Sequence, residues 1–244
     1  MGGTFPQLRS TGNLMIIPMY HAADETSHGK RSQTERETEF SEMTRYRHAL
    51  QHMLLAKATG ELGAICWEVN RTGIRHFHWQ WIACPQEMIK KGLVEAAFKI
   101  AAEKNRHSAF KPCNPDRLLS DRLSDFFRVW IWSAYSGTEE SRNGSSAQIS
   151  PVEQADVLSS GNDERTTVPR HTRETSMYFD LGQDERFNIQ FGRTVMSGLL
   201  KLEHRADWRT VPDEEGDEAR DAEAWKTDLG EFDFAMASNG AAGS

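Results

Sequence analysis

The stretch Arg75-His76-Phe77-His78-Trp79-Gln80-Trp81-Ile82 decides how this chain is read. As a β-strand its side chains alternate between two faces with period two. His76, His78 and Gln80 then line one face, and Phe77, Trp79 and Trp81 line the other. The aromatic row asks for a core, and a core strand has no use for the polar row. The pattern is that of a ligand site on a rigid element whose back is buried.

The neighbouring sequence supports a hairpin. Ala64-Ile65-Cys66-Trp67-Glu68-Val69 reads as a strand and Asn70-Arg71-Thr72-Gly73 as a turn, so the histidine-bearing strand returns alongside and ends at Cys84-Pro85. Upstream, Thr34 to Gly60 carries a helical pattern with Phe40, Met43, Leu50, Met53 and Leu54 on one broad face, and Gly60 is its expected stop. Further upstream, Leu14-Met15-Ile16-Ile17 reads as a buried strand that stops at Pro18, three residues before His21. Residues 22–33 read as a loop. Gln86 to Asn105 reads as a second helix. Strand, helix, hairpin and helix make a compact α+β unit of about 100 residues.

A second signal starts at Phe126-Phe127-Arg128-Val129-Trp130-Ile131-Trp132, which alternates with Phe127, Val129 and Ile131 on one face and Arg128, Trp130 and Trp132 on the other. Residues 136–175 are rich in Ser, Thr, Gly, Asn and charge, a composition that cannot bury enough surface to offset ordering entropy, so disorder is expected. The strand signal resumes at Met177-Tyr178-Phe179-Asp180-Leu181, which makes the whole a hairpin interrupted by an insertion. A helix is expected near Thr194–Leu202. The acidic run 211–223 suits a solvated helix face or a connector, and Trp225 with Phe232-Asp233-Phe234 suits a tail anchored on the fold.

Composition narrows the partners. The chain has 244 residues and a net charge of −7, so bulk electrostatics does not favour nucleic acid and any RNA contact must come from a local patch. Its three cysteines, Cys66, Cys84 and Cys113, form no Cys-x-x-Cys pair, which argues against a disulfide scaffold and a cysteine-based zinc site. No apolar run approaches the roughly 18 residues of a membrane span, so no membrane association is expected. Met1 to Ser10 does not read as a signal peptide.

His-x-His-x-Gln on one strand face suits phosphate chemistry. A neutral imidazole attacks phosphorus through one ring nitrogen when the other is held by a hydrogen bond. A neighbouring His or Gln donates to the phosphoryl oxygens as charge builds. His21, His76 and His78 could also hold zinc, though no further ligand is evident. Arg128, Trp130 and Trp132 could stack RNA bases on an open sheet face, or serve only as packing. Arg193, after Phe191-Gly192, could hold a phosphate near a helix start, or pair with the acidic tail.

Two regions together resemble a known family. Leu14-Met15-Ile16-Ile17-Pro18-x-x-His21 with His76-x-His78-x-Gln80 resembles the histidine-triad (HIT) superfamily, and most closely its CwfJ C-terminal (CWF19-like) branch. Phe187-x-x-Gln190-Phe191-Gly192-Arg193, Asp207-Trp208-Arg209 and Phe232-Asp233-Phe234 resemble the second module of that branch. The resemblance implies a HIT-like antiparallel sheet with helices over residues 1–112. A smaller α+β module would follow over 118–236, interrupted by the 136–175 insertion, with a disordered tail at 237–244. It implies a nuclear RNA-processing factor in pre-mRNA splicing and intron-lariat turnover. Its expected partners are an intron lariat or spliceosomal RNA, and the lariat-debranching enzyme or spliceosomal proteins.

By the same resemblance His78 takes the nucleophile's position and His76 the first position of the row. Gln80 takes the third, as in the hexose-phosphate uridylyltransferase branch, and His21 lies near the phosphate pocket. Two departures stand out. Gln80 cannot protonate a leaving group, and the family's Cys-x-x-Cys start, which contributes to zinc binding, is absent from Met1 to Ser10. The expectation is therefore a non-catalytic or weakly catalytic binding protein with no cofactor or metal ion. The alternative is an active nucleotidyl hydrolase or transferase that forms a nucleotidyl-His78 intermediate.

Overall fold

The computed structural model describes residues 14–16, 33–58, 60–71, 79–119, 125–136, 170–182, 185–207 and 217–234. The elements run in the order β1 (Leu14–Ile16), α1 (Gln33–Lys57), β2 (Leu62–Asn70), β3 (Trp79–Pro85), α2 (Gln86–Lys90), α3 (Leu93–Lys104), β4 (Lys111–Cys113), β5 (Phe126–Ser136), β6 (Arg170–Asp180), α4 (Phe191–Leu199), a 3-10 turn (Glu203–Arg205) and α5 (Asp217–Gly230). The six strands form one sheet in the order β1-β3-β2-β5-β6-β4, and every pairing is antiparallel. The chain is α+β, as its pattern predicts.

Helices cover both faces of this sheet, which explains why β2 is buried at every position from Gly63 to Val69. A strand with one wet face would alternate; one with two dry faces reads as a nearly continuous apolar run. On one face Cys66, Trp79, Trp81, Trp130 and Trp132 pack against Phe40, Met43, Leu50 and Leu54 of α1 and Trp225 of α5. On the other, Ile65, Trp67, Ile82, Phe127, Val129 and Phe179 pack against Val94 and Phe98 of α3 and Phe191 and Met196 of α4. Each fully buried indole removes on the order of 200 Å² from water, worth about 5 kcal/mol before ordering entropy is subtracted.

Several expectations change in detail. The helix expected over Gln86–Asn105 is two helices, because Gly92 adopts a left-handed conformation (φ 70°) between α2 and α3. α4 begins at Phe191 rather than Thr194. β5, read as the start of the second module, pairs with β2 from Ala64↔Trp132 to Asn70↔Phe126 and so continues the sheet of the first. β6 begins at Arg170, so residues 170–175, read as part of the insertion, are strand and pair with β5. The rest of the insertion, 137–169, and the tail 237–244 lie outside the described residues. The expected tail anchor is present. Trp225 meets Trp81 edge-to-face at 5.8 Å, and Phe234 lies 4.6 Å from the ring of Tyr46.

Candidate functional site

Period two carries through the described part of β3. Trp79 and Trp81 are fully buried on the α1 face, while Gln80 is half-buried on the opposite face with Ile82 and Cys84. The separation of the aromatic row from the polar row therefore holds from Trp79 to Trp81. His76, His78 and His21 lie outside the described residues.

Gln80 stands opposite Met15 on β1 and Trp67 on β2. Trp67 is 1% exposed, and α4 begins directly against it. A Cβ on Gly192 would come within 2.6 Å of Cε2 and Nε1 of that indole, so only glycine fits. One indole thus links Gln80, from the first region of family resemblance, to Phe191-Gly192-Arg193, from the second. Phe191 holds α4 in place from the other side: its ring lies 5.0 Å from Phe127, 5.5 Å from Phe187 and 5.9 Å from Phe179. The start of α4 is capped locally, with Gln190 N donating to Asn188 Oδ1 and Phe191 N to Asn188 O.

Arg193 does not face solvent. It is 3% exposed and its Nε donates to Ala206 O at 3.0 Å, tying α4 to the chain after the 3-10 turn.

Arg128, Trp130 and Trp132 share a face as the alternation predicts, but that face is closed. They are 0%, 1% and 3% exposed beneath α1, which leaves no ring face on which a base could stack. Arg128 instead pins the 114–117 loop. Its Nη1 donates to Arg117 O, its Nη2 to Asn114 O and Pro115 O, and its Nε to Ser176 Oγ. Trp130 Nε1 also donates to Pro115 O. Glu68 balances the charge 3.9 Å away and accepts from Trp79 Nε1 at 2.6 Å. Burial pushes the Glu68 carboxyl above its usual range, while Arg128 and the Trp79 hydrogen bond oppose that rise. These polar side chains are a satisfied buried network rather than a nucleic-acid surface.

A cleft of about 780 Å³ opens on the α1 side of the sheet, between α1 and residues 116–118, with Gln33, Glu37, Phe40, Thr44, Arg45 and Asp116 among its walls. It is separated from Gln80 by the sheet itself. The roles of Trp67 and Gly192 were missed in the sequence. The only signal was a glycine one residue into a helix, flanked by Phe191 and Arg193.

Comparison with known proteins bears on both regions. A family model described as a protein similar to the CwfJ C-terminal matches residues 4–99, and one described as a protein similar to CwfJ C-terminus 2 matches residues 151–235. β5 lies between the two matches and is the strand that joins β6 to β2. A CWF19-like protein, mug161, of Schizosaccharomyces pombe is 27% identical over 94% of this chain and 31% of its own length. A zinc finger CCCH domain-containing protein 64 of Arabidopsis thaliana is 28% identical over 79% of this chain and 26% of its own. The chain thus spans less than a third of either relative.

Proposed function

The chain belongs to the CwfJ C-terminal, CWF19-like family, and from that premise we propose that it is a nuclear RNA-processing factor acting in pre-mRNA splicing and intron-lariat turnover. In this reading it holds a phosphate or RNA end and acts as an accessory of the lariat-debranching machinery. The observation that carries the reading is the convergence on Trp67: the half-buried Gln80 of the first matched region and the start of α4 in the second meet on one sheet face. A ligand bound there would touch both regions, which gives a physical reason for the two to occur together. His76 and His78 would continue the Gln80 row by period two, with His21 near the same pocket.

The test is fluorescence anisotropy with labelled branched and linear RNAs carrying a terminal phosphate. Substituting Gln80→Ala or His78→Ala should weaken binding at least tenfold while thermal unfolding stays near that of the parent. Unchanged affinity in both variants would sink the phosphate-pocket reading. The catalytic alternative has its own readout. Acid-labile radiolabel transferred from a nucleotide to the protein, and lost in His78→Ala, would establish a nucleotidyl-histidine enzyme instead.

A further inference from the structure

We propose that Arg71 is a positioning residue for the ligand site on the Gln80 face. It fixes the chain entering the β2–β3 connection against the turn that leads toward α4. The proposal rests on the phosphate-pocket reading above and deepens it. At this end of the sheet three strands lie level, since Asn70 pairs with Phe126 and Phe126 with Asp180. Arg71, Asp125 and Leu181 are the next residues outward. The chain leaves β2 through Arg71 and returns as β3 at Trp79, next to Gln80, and His76 and His78 lie in the sequence between them. It leaves β6 through Leu181 and enters α4 at Phe191. Both halves of the ligand face are therefore reached from this one end of the sheet.

The Arg71 guanidinium reaches across both exits. Its Nη1 donates to Glu185 O at 2.7 Å, its Nη2 to Gly182 O at 3.4 Å and its Nε to Asp125 Oδ2 at 3.4 Å. The Asp125 carboxylate is buried, and its carbonyl accepts from Leu181 N at 3.0 Å. One residue thus anchors both the guanidinium and the first position after β6. A rigid fork with five N–H donors serves three acceptors at once, which the single ammonium of a lysine does not.

The turn that Arg71 grips is held independently from its far side. Glu185 Oε2 accepts from Gly182 N at 2.8 Å, Glu185 N donates to Gly182 O at 3.1 Å, and Glu185 Oε1 is hydrogen-bonded to His107 Nδ1. Burial draws the Glu185 carboxyl upward, but Gly182, His107 and Arg71 together hold it below its usual range, so it stays ionised at neutral pH. The His107 ring stacks on Phe179 at 5.1 Å and lies 5.2 Å from Phe187, which is 5.5 Å from Phe191. The turn and α4 are thus fixed to the sheet by contacts other than Arg71. The freedom that Arg71 removes is that of its own backbone, at the root of the β2–β3 connection. A ligand that bridges Gln80 and the start of α4 needs the two halves held at one spacing, to within about 0.5 Å.

The test uses the full chain and fluorescence anisotropy with two labelled RNAs that differ only in a terminal phosphate. The parent should prefer the phosphorylated RNA. Arg71→Ala should lose about tenfold or more of that affinity, and with it the preference. Arg71→Lys, which keeps the charge and one donor group, should recover part of it. Arg71→Gln supplies a second variant should Arg71→Ala fail to fold. Arg128→Lys is destabilised on the opposite face of the sheet and should keep the preference, which separates positioning from loss of stability. A preference unchanged in Arg71→Ala or Arg71→Gln, while Gln80→Ala abolishes it, would overturn the role of Arg71 and leave the pocket standing. An equal loss in Arg128→Lys would also overturn it and reduce Arg71 to a structural tie. No preference in the parent would sink the pocket reading itself, and the role of Arg71 with it.

Discussion

Gly192 rests its backbone against the indole of Trp67, with Cε2 and Nε1 both 2.6 Å from where a Cβ would stand. The indole is fully buried and cannot retreat. Gly192→Ala should therefore destabilise the fold by about 1–3 kcal/mol through overpacking, despite the better helix propensity of alanine. Gly198 in the same helix has nothing within 4 Å, so Gly198→Ala should stabilise by about 0.5–1 kcal/mol. Urea denaturation of the pair checks both signs. Equal effects would mean that the Trp67 contact is not what sets α4.

Arg128 is a pin for the 114–117 loop. Removing it leaves Glu68 buried without its nearby cation and takes one donor from each of three carbonyls. Arg128→Met should cost about 3–5 kcal/mol, and Arg128→Lys most of that, since a single ammonium cannot reproduce the guanidinium fork. The loss should appear in the unfolding midpoint. The salt dependence of RNA binding should not change, because Arg128 contacts no solvent. A flattened salt slope with intact stability would restore the nucleic-acid role read from the sequence.

Ser136 and Arg170 are paired across β5 and β6. A two-residue Asn-Gly turn can therefore replace residues 137–169 without changing the register. The melting temperature should hold or rise slightly, since shortening the connection lowers its closure entropy by about 1–2 kcal/mol. Extending the deletion through residue 174 should be far more damaging. It removes Glu174, which accepts from Arg47 and Gln51, together with the first part of β6. Comparison of the two deletions by thermal unfolding separates a dispensable connection from a structural strand.

Cys66 and Cys84 are both buried. Burial raises the Cys66 thiol well above its usual range and pushes Cys84 up to about 12. Since the thiolate is the reactive form, neither should react with Ellman's reagent in the native protein at pH 8. Cys113 is half-buried and hydrogen-bonds Ser176. One fast equivalent is expected natively and three after unfolding. Two or more fast equivalents would show that the sheet opens on the timescale of the assay.

Much of the fold was legible in the sequence because it is written in contiguous residues. The period-two alternation at Trp79-Gln80-Trp81 and at Phe127 to Trp132 named the two faces correctly. The apolar spacing of α1 named the helix and its buried side. The error over Gln86–Asn105 has a local cause as well: helical periodicity continues through Gly92, and only its positive φ reveals the break. Trp130 and Trp132 were harder, since an aromatic row on a strand looks the same whether a base or a helix covers it.

The sequence by itself determined which residues share a strand or helix face, because a side chain's direction along a strand or helix follows from bond geometry within a few residues. It also carried both regions of family resemblance. Only the tertiary structure decided that β5 pairs with β2, so that two regions far apart in sequence share one sheet. Only it placed Gly192 on Trp67, and the Gly182 and Glu185 carbonyls around Arg71. Those meetings depend on strand order and register across long connections, which are set by the burial of whole faces and leave no mark in local spacing.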